Sequence, residues 1–115
     1  MIATVIDATT NFNLNGAYVV DCSGWDFAVV TLVAPGGAVS FKETNDAGAI
    51  TGVTDGNPTT ATNFVAAALL DLSSTSSALV TSSAAAGNFK YSQGAKFLQL
   101  TGTTATKVLI QLSKI

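Results

Sequence analysis

The sequence predicts an all-β protein: one antiparallel β-sandwich of jelly-roll type with long polar loops, spanning residues 1–115. Three observations carry this. Short runs rich in Val, Ile, Phe and Tyr recur between clusters of Gly, Asn, Asp, Ser and Thr. Several runs alternate apolar and polar residues with the period of two that a half-buried strand requires. The two prolines, Pro35 and Pro58, both fall in the breaks, as they must if the runs between them are hydrogen-bonded strands. Many short strands at close spacing point to two packed sheets.

In chain order, the first strand is Ile2–Asp7, with Ile2, Thr4 and Ile6 on one face. Phe12–Leu14 reads as a second, short strand. Ala17–Cys22 follows, with Tyr18 and Val20 sharing a face. Trp25–Val33 alternates poorly, because Val29 and Val30 are adjacent, and it reads as a central strand covered on both faces. Ala38–Thr44 places Val39 and Phe41 together, with Ser40 and Lys42 opposite. Ile50–Val53 is a weak strand. Two low-complexity polar stretches, Thr54–Asn63 and Ser73–Gly87, read as long loops.

Between those loops lies "NFVAAALLDL" (Asn63–Leu72), where two readings compete. Three alanines and two leucines favour a helix that Thr62 or Asn63 could cap. Its Ser/Thr-rich flanks and missing polar face favour an extended or irregular segment, and that reading is adopted for Phe64–Leu72. Ala78–Thr81 and Asn88–Tyr91 are the next strands. "KFLQLTGTTATKVLIQLSKI" (Lys96–Ile115) reads as a closing β-hairpin turning at "TGTTAT". Its inward sets are Leu98/Leu100 and Val108/Ile110/Leu112. Leu109 and Ile115 then point outward, either towards a neighbouring subunit or as the isolated exposed apolar residues common on any surface.

Composition narrows the function. Apolar residues make up 48% of the chain and charged residues only 10%, against about 25% charged in an average soluble domain. A surface made hydrophilic by Thr, Ser, Asn and Gln repels copies of itself weakly and suits a protein packed against others. The cations are five lysines, with no arginine, and the net charge is −2. Nucleic-acid binding is not expected, since it draws on basic patches and bidentate arginines. The longest apolar run, Phe64–Leu70, is seven residues, far short of the about 20 of a spanning helix. No membrane segment is expected. The start, "MIATVIDATT", lacks a basic n-region and a long apolar core, so no secretory signal is expected either.

No catalytic residues and no cofactor are expected. The chain contains no histidine, so nucleophile–histidine–acid chemistry and the usual zinc sites lack a necessary member. Cys22, the lone cysteine, reads as a small core residue. Asp21 and Asp26 flank the turn "CSG" and read as caps on backbone amides rather than a glycosidase pair. "ETNDAG" (Glu43–Gly48) gathers oxygen ligands but not at calcium-loop spacing, and reads as a polar turn. Trp25, the only tryptophan, reads as a core plug between sheets rather than a sugar platform.

Three stretches taken together resemble a known group: "CSGWDFAVVTLV" (Cys22–Val33), "GGAVSFKETNDAGA" (Gly36–Ala49) and "GNFKYSQGAKFLQLTGTTATKVLIQLSKI" (Gly87–Ile115). Their order of strands and turns resembles small β-sandwich virion proteins of tailed bacteriophages, above all capsid decoration (cement, auxiliary) proteins. The resemblance implies a non-enzymatic virion protein, made in the host cytoplasm and placed on the capsid surface. It implies that the major capsid protein is the partner and that the protein self-associates, as a trimer by preference. The alternative is a fibre, tail or carbohydrate-binding module used in host adhesion. Interface candidates are Phe64, Leu69, Leu70, Leu109 and Ile115, and the segments to look at first are the N-terminal strand, the two polar loops and Phe64–Leu72.

Overall fold

The computed structural model describes residues 1–45, 64–73, 78–92 and 95–115. It is a two-sheet antiparallel sandwich. The strands are β1 (Ile2–Asp7), β2 (Ala17–Asp21), β3 (Phe27–Val33), β4 (Val39–Thr44), β5 (Val65–Ala66), β6 (Leu69–Asp71), β7 (Leu79–Val80), β8 (Ser82–Ser83), β9 (Gly87–Tyr91), β10 (Phe97–Thr101) and β11 (Lys107–Lys114), with one helix, α1 (Thr9–Asn15). The large sheet has the order β1-β11-β3-β9-β6-β7. The small sheet has the order β2-β10-β4-β5, and β8 also pairs with β4. Set face to face, β1-β11-β3-β9 and β2-β10-β4-β5 are the strand order of a jelly roll. The weak strand expected at Ile50–Val53 and the loop at Thr54–Asn63 lie outside the described residues.

Period-two alternation sets the inward residues of the long strands, although Gln99 in β10 and Ser113 in β11, on the opposite parity, are buried as well. β3 buries Ala28, Val30 and Leu32, β11 buries Val108, Ile110 and Leu112, and β10 buries Leu98 and Leu100. These meet Val39 and Phe41 from β4 and Phe89 and Tyr91 from β9 in one continuous core. The rings of Phe41 and Phe89 lie 5.3 Å apart at 46°, a tilted contact across the gap between sheets.

Four expectations need correcting. Phe12–Leu14 is not a strand but part of α1, which plugs one end of the sandwich with the buried Phe12. The helix stops at Gly16, whose φ of 69° is left-handed and whose N–H bonds the Phe12 carbonyl. A Cβ there would stand 3.1 Å from the Gly102 carbonyl oxygen, so both conformation and space require glycine.

Second, Lys96–Ile115 is not a hairpin. β10 pairs with β2 and β4 in the small sheet, while β11 pairs with β1 and β3 in the large one. The five residues Gly102–Thr106 cross between layers that in sandwiches lie about 10 Å apart.

Third, β3 is covered by the core on one face only; Phe27, Val29 and Thr31 on the other remain half-exposed and Val33 is exposed. Fourth, Trp25 is half-buried and packs on the rim of the core rather than plugging it.

The extended reading of Phe64–Leu72 holds, in an unexpected form. The run pairs first with β4, as β5, and then with β9, as β6, stepping between sheets at Ala67–Ala68. β7 and β8 step back, because β7 pairs with β6 and β8 with β4. Phe41 sits at the crossing: its N–H bonds the Thr81 carbonyl and its C=O accepts the Ala67 N–H. One side of the sandwich is thus closed by chain passing from sheet to sheet.

The turn acids cap as expected. Asp21 Oδ1 accepts the Ser23 N–H at 2.8 Å, and Asp26 Oδ2 accepts the Ile115 N–H at 2.6 Å. Cys22 is buried, and desolvation first, then the neighbouring Asp21 charge, push its thiol up to about 12. A thiol-reactive disulfide reagent at pH 8 is expected to leave Cys22 untouched in the native protein and to modify it fully in denaturant. Rapid native labelling would contradict its place in the core.

Candidate docking face

The outward face of the large sheet follows from register. Once Ala28, Val30 and Leu32 point in, Phe27, Val29, Thr31 and Val33 must point out. The pairings extend this across the whole sheet. Val5, Gln111, Val29, Lys90, Leu70 and Leu79 stand opposite one another in turn, one residue from each of the six strands. The row on one side runs Asp7, Leu109, Thr31, Asn88. The row on the other runs Ala3, Ser113, Phe27. Two-thirds of each of Val5 and Leu79 is open to solvent, at 62% and 69%.

Some of the polar groups among these residues are tied down, whereas Gln111 is exposed and Ser113, though of outward parity, is fully buried with no hydrogen-bond partner for its hydroxyl among the described residues. Thr31 Oγ1 donates to Asn88 Oδ1 at 2.6 Å. Lys90 Nζ lies 4.6 Å from the centre of the Phe27 ring, spending its charge on an aromatic face. At the margin, Lys107 and Asp7 stand 3.9 Å apart. The Asp7 carboxyl is held below its usual value by the Thr9 hydroxyl, then the Thr9 amide, with Lys107 a smaller influence. What remains is a shallow, mostly apolar surface of Val5, Val29, Phe27, Leu109, Leu70 and Leu79. Chemically it can bury apolar area against a partner of matching shape; no residue in it is placed for bond-making.

The five interface candidates separate. Leu70 and Leu109 lie on this face, on strands separated by β9 and β3. Ile115 follows the end of β11 and is 90% exposed. Phe64 precedes β5 at the other sheet and is half-buried. Leu69 is a correction: it is fully buried in the core and has no side chain to offer a partner. Sequence reasoning missed Phe27 and Val29; Val5 and Leu79 fall in the N-terminal strand and the second polar loop, which it named only as whole segments. The adjacent valines 29 and 30 were the available signal, since one of such a pair must leave the core.

Elsewhere, the Tyr91 hydroxyl donates to Glu43 Oε1 at 2.8 Å, and Asn45 Oδ1 accepts the Lys96 N–H at 2.9 Å. Both oxygens of "ETNDAG" seen here therefore serve the fold; Asp46 and Gly48 lie outside the described residues. Among the described residues no cluster of three or more His, Cys, Asp or Glu could hold a metal, and no helix is long and apolar enough to cross a membrane. No protein-family model matches the chain, no curated protein is significantly similar to it, and no solved structure matches it.

Proposed function

We propose that this protein is a non-enzymatic structural component of a virion, a decoration (cement) protein that binds the outer shell of a tailed-phage capsid and bridges joins between copies of the major capsid protein. The observation that carries the reading is the row crossing all six strands of the large sheet from Val5 to Leu79, in which Val5, Val29, Leu70 and Leu79 are apolar and only Gln111 and Lys90 are not. A face so poor in charge stabilises a complex by burying area. A protein that binds only the assembled shell shifts the assembly equilibrium towards it by mass action. The jelly-roll frame, the 10% charge content and the resemblance of the strand order support the same reading.

The test is co-sedimentation with capsid shells of the phage whose genome encodes the chain. Val29→Lys puts a charge in the middle of the row on a half-exposed side chain, so the fold should survive. Binding is expected to weaken by at least about tenfold, as for a central interface residue, with the unfolding midpoint nearly unchanged. Equal binding by Val29→Lys and wild type would move the contact off this face. No binding by either, together with recognition of a glycan on an array, would favour the adhesion-module alternative.

A further inference from the structure

Among the described residues β1 has a partner on one edge only, and we infer that its other edge is a self-recognition strand: two copies pair β1 with β1 about a two-fold axis, joining their six-stranded sheets into one of twelve strands. The Ala8 N–H bonds the Val108 carbonyl at 2.8 Å, continuing the β1–β11 ladder. Even-numbered residues of β1 therefore turn their backbone groups towards β11. Ala3, Val5 and Asp7 turn theirs away, to a side where β1 has no neighbour in the sheet among the described residues. Only an extended strand offers donors and acceptors at that spacing.

Among the described residues β1 carries few of the devices that blunt an edge, Asp7 at its end being its one charge. It has no proline and no lysine, it is six residues long, and its apolar Ile2 and Val5 are 66% and 62% exposed. Its sequence is also self-complementary. Antiparallel pairing centred on Thr4 sets Ala3 against Val5 of the second copy, each bonding the other's backbone. It sets Ile2 against Ile6 and Thr4 against Thr4, both favourable cross-strand pairs. The only charged residue, Asp7, comes at opposite ends of the joint, so like charges never face each other. Centring on Val5 instead would leave Ile2 without a strand residue opposite and set Thr4 against Ile6.

Such an interface is isologous and yields a dimer, whereas a three-fold ring needs two different surfaces. A six-residue edge is about 20 Å long. The contact is therefore smaller than the about 1,200 Å² that marks a stable interface, and the dimer is weak and concentration-dependent. Self-pairing does not rest on shell binding and is read in free solution.

Sedimentation equilibrium of the full chain from about 5 to 500 μM is expected to show monomer giving way to dimer. Val5→Pro removes an N–H that has no partner among the described residues, a position that tolerates proline on an edge strand, and should lower the association constant at least about tenfold. Thr4→Cys tests the register independently. Directly opposed residues of a non-hydrogen-bonded pair lie about 4.5 Å apart, within disulfide reach, so mild oxidation should link the dimer through position 4. The wild type, with only the buried Cys22, should stay unlinked. A monomer throughout, a dimer indifferent to Val5→Pro, or a Thr4→Cys chain that does not link would each overturn the inference.

Discussion

Phe41→Ala is expected to cost about 3–5 kcal/mol of stability, the range for deleting a buried aromatic ring. The ring is fully buried, touches the Phe89 ring across the two sheets, and belongs to the residue whose backbone ties Thr81 and Ala67 at the sheet crossing. Its neighbours come from both layers, so collapse around the missing ring would need the layers to shift. Urea denaturation should show a lower midpoint with an unchanged slope. Phe41→Leu, which leaves less empty volume, should cost less. A Phe41→Ala/Phe89→Ala cycle should return a coupling of about 0.5–1.5 kcal/mol. A loss below about 1 kcal/mol for Phe41→Ala would show that the ring does not fill the space between the sheets.

Asn13→Ala is expected to cost about 2 kcal/mol through hydrogen bonding rather than packing. The Asn13 amide imitates a strand: Oδ1 accepts the Ala105 N–H and Nδ2 donates to the Ala105 carbonyl, both at 2.8 Å. Ala105 is buried in the connection between β10 and β11, so truncation strips partners from two backbone groups at once. Asn13→Asp keeps the acceptor, loses the donor and should fall between. Hydrogen exchange at the Ala105 amide supplies the local readout, and it should accelerate in Asn13→Ala beyond what the global loss explains. Unchanged protection there would mean that the clamp contributes nothing in solution.

That clamp also explains what the sequence could not reveal. "TTNFNLN" combines residues of poor helix propensity and has no amphipathic period over its seven positions. It is helical because Phe12 fills the end of the core and Asn13 holds a loop 92 residues away, and neither is a local property. Strand positions were legible because alternation in runs such as Val108–Leu112 is local. Alternation tells which face of a strand is buried but not which sheet the strand joins, and the expected hairpin at Lys96–Ile115 failed on that point.

The docking face was half-legible for the same reason. Leu109 falls on the outward parity of a clear strand, so its direction could be read. "FVAAALL" is apolar at every position, and only the register against β9 and β7 separates the buried Leu69 from the outward Leu70. The valine pair in β3 marked an apolar outer surface, but counting it as a second core inverted its meaning.

The position of β11 bears on how the chain matures. It lies between β1 and β3, yet it is made after every other strand. Until residues 107–114 leave the ribosome, β1 has nothing to pair with, and β3 presents a bare edge beside an uncovered core. The large sheet therefore cannot close before these residues are made. Closure of the sandwich should be a slow step dominated by long-range pairing. Stalled or truncated products lacking this segment would be the species most prone to aggregate in the producing cell.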